Sequence, residues 1–352
     1  MTNPRDSNTN CSNSKFKSPI KIPNSNLKQC SLLCSVEFIY PNIEWNMRAV
    51  KVMVNNEPVL RFYAKNSDTK RTDIKYNGIK YQLEFIEFYI KSLHTIQSEG
   101  SEYDSNVGGS SENYDVEMVM YHSGFSSTAQ KNVWLNLSIF ITPMYTYSIS
   151  QDFFYQLIHP LCSEGKTGAS DKVCFLDDSN STVTIPSTSN PITTNSCTSS
   201  NSSNPSSTSF KCINLSVSQK WNPYQALPYK KSFYIYKGDF PLSPCLYGST
   251  NDDIIWVIME NTVPMHYTEY EQLNSIYNGS TKFKWNIGTN YTIQGLNERP
   301  VYYNDGTYVQ GNMDRDKFYI KCTKKEQGPA IKNLSFSPSS NVDDVTDESG
   351  NK

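Results

Sequence analysis

Four histidines, His94, His122, His159 and His266, are the only imidazoles this 352-residue chain can offer to a metal ion or a proton-transfer step. A catalytic zinc site takes three protein ligands, commonly with imidazoles among them, and leaves the fourth position to water. An H-x-H on one strand would point two imidazoles the same way, because side chains alternate with period 2. No H-x-H occurs. His159 precedes Pro160 at a helix end and His266 lies between a strand and a helix, so both read as surface residues. Nine cysteines contain no CxxC pair. Cys30 and Cys34 are four apart with no matching pair behind them, while Cys162, Cys174, Cys197 and Cys212 flank or interrupt a polar tract whose base they could staple.

The elements that must position these residues read mostly as strands. Period-2 or continuous β-branched and aromatic runs cover Ser35–Tyr40, Val50–Val54, Val59–Ala64, Tyr81–Ile90, Val116–Tyr121, Val133–Ile141, Phe233–Tyr236, Ile254–Met259 and Phe318–Cys322. Turn signals separate them at Asn55-Asn56-Glu57-Pro58, Tyr76-Asn77-Gly78, Gly108-Gly109 and Asn278-Gly279. Helical pattern is sparse, with Gln151–Leu161 and Thr268–Ile276 as the two candidates. The expectation is a mainly β (α+β) single domain over residues 15–336, built on one large sheet with a few surface helices.

Three stretches stand outside that domain pattern. Residues 1–14 and the acidic tail 337–352 are expected to be disordered, and the Ser/Thr/Asn-rich tract 177–209 to form a mobile surface loop. Sequons at Asn180 and Asn201 would also allow a glycosylated stalk. The first residues lack an apolar h-region, so no cleavable secretion signal is expected. No run of about 18 apolar residues occurs, so no transmembrane segment is expected. Lys and Arg (32) nearly balance Asp and Glu (34), which argues against a nucleic-acid partner. Basic residues do gather locally, at Lys65, Lys70, Arg71, Lys75 and Lys80, at Lys230, Lys231 and Lys237, and at Lys317, Lys321, Lys324 and Lys325. Two such groups brought together would make a polyanion groove.

Several separated segments, taken in order, resemble the α-class carbonic anhydrase family. Lys17-Ser18-Pro19-Ile20-Lys21-Ile22 resembles its Q-S-P-I-x-I segment and Val54-Asn55-Asn56 its L-N-N turn. Residues 81–89, YQLEFIEFY, lie over Y-x-L-x-Q-F-H-F-H, and Gly100-Ser101-Glu102-Tyr103 over G-S-E-H. Residues 114–122, YDVEMVMYH, lie over Y-x-x-E-L-H-L-V-H, and 236–245, YKGDFPLSPC, over Y-x-G-S-L-T-T-P-P-C. Ile254-Ile255-Trp256-Val257 matches V-x-W-I and Asn297-Glu298-Arg299-Pro300 matches N-x-R-P, so the likeness runs over roughly residues 15–310. It implies a large twisted central antiparallel sheet of about ten strands, with the family's zinc site at the bottom of a conical cleft.

The same alignment puts the chemistry in doubt. The three zinc-ligand positions fall on Glu87, Tyr89 and Val119, the hydroxide-orienting threonine and its neighbour on Pro241 and Leu242, and the proton-shuttle histidine on Pro58. Glu102 and Glu117 occupy the supporting carboxylate positions, Trp256 the cleft-wall tryptophan, and Asn297 with Arg299 a structural pair. The resemblance also pairs Cys245 with a cysteine before the Q-S-P-I segment, the place of Cys11. It thus implies a catalytically inactive homologue without zinc or another cofactor. Its short polar start is similar to the inactive branch that poxviruses use for cell-surface binding, which implies a virion or cell-surface location and a sulfated glycosaminoglycan or a protein as partner. Two alternatives stay open: a metal-dependent carbonate dehydratase, or other lyase or hydrolase, with a site rebuilt on Glu87 and His94; and a structural component of a particle or coat.

Overall fold

The computed structural model describes residues 17–23, 26–30, 34–54, 57–64, 71–97, 111–112, 114–146, 149–164, 172–174, 212–239, 253–278, 286–288, 293–306 and 309–311. The chain divides into two compact units, 1–309 and 310–352. Of the second unit only Gln310 and Gly311 are among the described residues. Residues 1–14, the tract 177–209, the tail 337–352 and the run Phe318–Cys322 lie outside them.

In chain order the strands are β1 (Lys21–Ile22), β2 (Lys28–Gln29), β3 (Val36–Phe38), β4 (Met47–Val54), β5 (Glu57–Ala64), β6 (Ile74–Tyr76), β7 (Ile79–Ile90), β8 (Thr95–Gln97), β9 (Ser111–Glu112), β10 (Val116–Ser126) and β11 (Lys131–Met144). Helix α1 (Ile149–Ile158) follows, then β12 (Cys162–Glu164), β13 (Lys172–Cys174), β14 (Cys212–Leu215), β15 (Phe233–Gly238), β16 (Asp253–Met259), β17 (Val263–His266), helix α2 (Tyr267–Asn278) and β18 (Tyr302–Asn304). Among the described residues one sheet runs β14-β4-β5-β7-β10-β11-β16-β15-β18-β2, with β3, β6 and β17 attached beside it. Most neighbours are antiparallel, as expected, but β11–β16, β11–β17 and β18–β2 are parallel, so the sheet is mixed. No helix among the described residues is long and apolar enough to cross a membrane.

Both helix candidates form, their ends one to three residues from the expected bounds. In α1, Phe153, Phe154, Leu157 and Ile158 make one buried stripe, and Tyr155 faces outward. The Tyr76-Asn77-Gly78 turn also forms, with positive φ at Asn77 (48°) and Gly78 (82°), the geometry that suits a two-residue hairpin. The turn expected at Asn55-Asn56-Glu57-Pro58 is shorter than its signal. Glu57 and Pro58 already belong to β5, where Pro58 stands opposite Met53, and a proline is tolerated this close to a strand's start.

The sheet separates two apolar layers. One holds Leu83, Ile86, Phe88 and Ile90 of β7, Met118 and Met120 of β10, and Leu135, Leu137 and Ile139 of β11, covered by α1, α2 and Trp221. The other holds Phe85, Tyr89, Val119, Tyr121, Trp134, Phe140, Tyr236, Ile254, Trp256 and Ile258. A bulge in β7 decides which residue goes where. Tyr121 stands opposite Phe85 but His122 opposite Leu83, so Glu84 is the extra residue. Below it Tyr81 and Leu83 face the helices; above it Phe85, Glu87 and Tyr89 all face the other layer.

His122 belongs to the helix-covered layer and faces away from Val119. It is fully buried; its Nδ1–H donates to the carbonyls of Met120 (3.0 Å) and Leu135 (3.2 Å), and its Nε2 accepts from the Tyr40 hydroxyl at 2.8 Å. Burial pushes its pKa down from 6.5 to about 3, against the pull of the two carbonyls. The neutral ring is therefore the native form, and unfolding takes up a proton at any pH between those values. His122 supports the fold fully above pH 6.5, and that support is lost as pH falls toward 3. The loss at the acid end amounts to about 5 kcal/mol. Urea unfolding between pH 7 and pH 4 is expected to show that slope, and His122→Gln to flatten it.

Candidate functional site

The sheet layer opposite the helices carries the polar cluster that the family likeness pointed to. Alternation on β7 puts Glu87 and Tyr89 on this face, and the β7–β10 register sets Val119 directly opposite Glu87. All three are fully buried. The Glu87 carboxylate accepts from Arg61 Nε of β5 at 2.5 Å and from the Tyr89 hydroxyl through its other oxygen. The Tyr89 and Tyr121 hydroxyls are 3.0 Å apart. The Arg61 guanidinium lies 4.4 Å from the Phe85 ring centroid, and Phe85 stacks on Tyr121 at 4.5 Å. One buried cation thus neutralises one buried anion, with aromatic rings around both.

A second chain of hydrogen bonds runs through His94. This histidine, in the connection after β7, is fully buried. Its Nδ1–H donates to Glu117 Oε1 (2.7 Å) and its backbone N–H to Glu117 Oε2 (2.8 Å). Ser138 Oγ donates to Glu117 Oε1 at 2.6 Å, and the Tyr236 hydroxyl is 2.7 Å from His94 Nε2. Burial pushes the Glu117 carboxyl up, but its interactions with His94, and with the Ser138 hydroxyl, hold it below the ordinary carboxylate range. Burial drives the Tyr236 phenol well above 10, so it stays protonated and donates to His94 Nε2. Trp256 packs edge-on against the His94 ring at 4.7 Å and donates its indole N–H to the Asp239 carbonyl at 2.9 Å.

The N-terminal segment is locked onto this wall. Ser18 N donates to Asp239 Oδ1 at 2.6 Å and Asp239 N to Ser18 Oγ at 3.2 Å. Gly238 makes the approach possible, since a Cβ there would fall 2.2 Å from Ser18 Oγ and 2.7 Å from the Trp256 ring. Arg299 braces β15 from outside: Nη1 donates to the Lys237 carbonyl (3.0 Å), while Nε and Nη2 hold the carbonyls of Leu296 (2.8 Å) and Gly295 (2.9 Å). That clamp spans the turn in which Asn297 and Glu298 take left-handed backbone, φ 49° and 63°.

Glu87, Tyr89, Val119, Glu117, Trp256 and Arg299 thus gather on or beside one sheet face, while Asn297 is exposed on the bracing turn. Pro58 is described by its backbone alone, and Pro241, Leu242, Glu102, Cys11 and Cys245 lie outside the described residues. Two expectations change. Arg71, grouped by sequence with surface lysines, is buried and holds Asp73 Oδ2 at 2.8 Å, because Trp45 and the Asp73 carboxylate draw its guanidinium inside. His266 is half-buried, its Nδ1 3.7 Å from Glu269, rather than a plain surface residue. Cys30 and Cys34, four apart in the sequence, are joined to each other as a disulfide. Cys162 and Cys174 stand opposite each other in the β12–β13 register.

The residues at the expected ligand positions do not fit a zinc ion. Valine has no donor, Glu87 is already neutralised by a guanidinium, and the Tyr89 phenol donates to that same carboxylate. His94 cannot complete a site with Glu87, since both its nitrogens are engaged with Glu117 and Tyr236. Among the described residues no group of three His, Cys, Asp or Glu side chains could hold a metal. Arg61, Tyr121, Ser138 and Tyr236 were missed as members of the site. Only Arg61 left a signal, a lone charge inside the apolar run Val59–Ala64.

No protein-family model matches the chain, and no curated protein does. Solved structures do. Carbonic anhydrase Cah3 from Chlamydomonas reinhardtii, in complex with acetazolamide, aligns over 86% of this chain and 96% of its own at 15% identity, TM-score 0.52. The α-carbonic anhydrase of Thermovibrio ammonificans, with the inhibitor sulfanilamide, aligns over 83% and 88% at 15% identity, TM-score 0.48. That of Photobacterium profundum aligns over 84% and 93% at 13%, TM-score 0.49. With its mixed central sheet, two helices on one face and polar cluster on the other, the chain has the α-carbonic-anhydrase fold.

Proposed function

We propose that the chain is a carbonic-anhydrase-like binding module that does not hydrate carbon dioxide, and that its partner is a sulfated glycosaminoglycan. The observation that carries the reading is the Arg61–Glu87–Tyr89 cluster with Val119 beside it: the place that would need three neutral imidazoles holds a compensated ion pair and an apolar side chain. A fold kept while its chemistry is replaced is the expected mark of reuse for binding. A polyanion partner is supported by Lys75 and Lys80, cross-strand neighbours in the β6–β7 hairpin, and by exposed Lys230 and Lys237. With Arg71 turned inward, the anion surface is narrower than the sequence suggests.

Purified protein is expected to hold zinc well below one equivalent, to leave carbon dioxide hydration at the buffer rate, and to bind heparin and chondroitin sulfate at low salt with loss at moderate salt. Stoichiometric zinc with hydration activity overturns the first half. Failure to retain either polysaccharide at low salt overturns the second and leaves a protein partner.

A further inference from the structure

A second polar group lies at the β2 edge of the sheet, on strands that carry neither Arg61 nor Glu87. The register lines up Tyr234 of β15 with Tyr303 of β18, and Gln29 of β2 stands beyond them. Ile258 faces Tyr234 across the β15–β16 pair, and Glu260 follows two residues on, so its carboxylate reaches the same row. Ser232 Oγ and the Tyr303 hydroxyl (3.0 Å) both donate to Glu260 Oε2, whereas Oε1 has the Tyr234 hydroxyl alone, at a long 3.4 Å. Burial, and then the nearby Glu260 carboxylate, pushes both phenols up, so they stay protonated donors. Glu260 and Tyr303 are half-buried and Gln29 is exposed, so solvent reaches the row. Among the described residues no lysine, arginine or histidine side chain meets this carboxylate. Lys231, one residue before Ser232, lies over the Tyr224 ring at 5.0 Å, on the helix-covered side. The Tyr234 and Tyr303 rings, with centroids 5.2 Å apart, supply the electron-rich surface that attracts a cation. A partly desolvated carboxylate with one oxygen open is better completed by a charged donor than by hydroxyls alone.

We propose that Glu260, Tyr234 and Tyr303 form a surface site for a primary alkylammonium group. An ammonium N–H donates to Glu260 Oε1, the charge meets the two rings, and the alkyl chain runs over Tyr303 toward Gln29. Preference for a primary amine follows from Oε1, which needs a donor that a quaternary ammonium lacks. A site for a cation is opposite in sign to the lysine surface, so the proposal goes beyond the polysaccharide reading and does not depend on it.

The test titrates the intact protein, at neutral pH and constant ionic strength, with n-butylammonium and with Nα-acetyl-lysine amide. Tetramethylammonium, which keeps the charge but lacks the N–H, and n-butanol, which lacks the charge, serve as controls. Binding is read from the ring NMR signals of Tyr234 and Tyr303. Butylammonium is expected to shift both saturably, with tetramethylammonium weaker by about tenfold or more and butanol without effect. Glu260→Gln is expected to weaken butylammonium binding by about tenfold or more. An equal response to acetyl-lysine amide supports a lysine side chain as the source of the ammonium, and its failure beside butylammonium supports a free amine. No saturable shift with either amine, an equal response to tetramethylammonium or to butanol, or unchanged affinity in Glu260→Gln overturns the proposal. The wild-type titrations decide even if the variant does not fold.

Discussion

Arg61→Met is expected to destabilise the protein by about 3 to 5 kcal/mol, because it strands a buried carboxylate. Glu87 has no exposed surface and the Arg61 side chain only 5%, so water cannot replace the guanidinium. The Tyr89 hydroxyl alone cannot balance a full charge at that depth. The second substitution is the informative one. Glu87→Leu on top of Arg61→Met removes the stranded anion and is expected to recover most of the loss, since a buried ion pair replaced as a whole by apolar groups is often near neutral. Chemical denaturation of the two single variants and the double variant reads this out. If the double variant is as unstable as the sum of the singles, the two side chains are not acting as one pair.

The second large effect concerns His94. His94→Phe keeps a ring against Trp256 but removes the Nδ1–H from Glu117 and the Nε2 acceptor from Tyr236. Two buried polar groups lose a partner at once, and about 3 to 5 kcal/mol of stability is expected to go with them. The pH dependence distinguishes this from a packing defect. In the wild type Glu117 has a lowered pKa, so its support is present above the ordinary value of 4.5 and is lost as pH falls. In the variant burial acts with less opposition and the carboxyl shifts upward. The damage is then greatest at neutral pH and is relieved as pH falls through the raised value. A stability curve for His94→Phe that parallels the wild type through this range would show that Glu117 does not depend on the imidazole.

Much of the architecture was legible because alternation is local: the long strands and both helices fall close to where composition and period place them. The polar cluster was legible only in part. Glu87 and Tyr89 could be paired through the family likeness, but Arg61 lies two strands' worth of sequence earlier, and nothing local announces that β5 lies beside β7. The bulge at Glu84 is similarly silent in a run that reads as strand throughout, although it turns Phe85, Glu87 and Tyr89 toward the site. His94 read as a lone connection residue because its partners, Glu117 and Tyr236, come from β10 and β15. Arg71 was misread for a related reason: a charge beside lysines looks solvated until a buried carboxylate two residues on claims it.

The parallel seam between β11 and β16 sets how this chain must fold. Val133 stands opposite Asp253, so the partner strand is made long after β11 itself. The antiparallel run β4-β5-β7-β10-β11 can assemble through turns and short connections, while the seam waits for the whole stretch between to be threaded and closed. Closing a longer flexible connection is thermodynamically mild, about 0.6 kcal/mol for each doubling of its length. The tract 177–209 sits within that connection, where added length weighs little on final stability. Its weight falls on speed, since distant pairing slows folding. During that delay the β11 edge is bare, open to a strand from another chain. Trimming the tract is therefore expected to leave the melting point nearly unchanged while quickening refolding and reducing aggregation along the way.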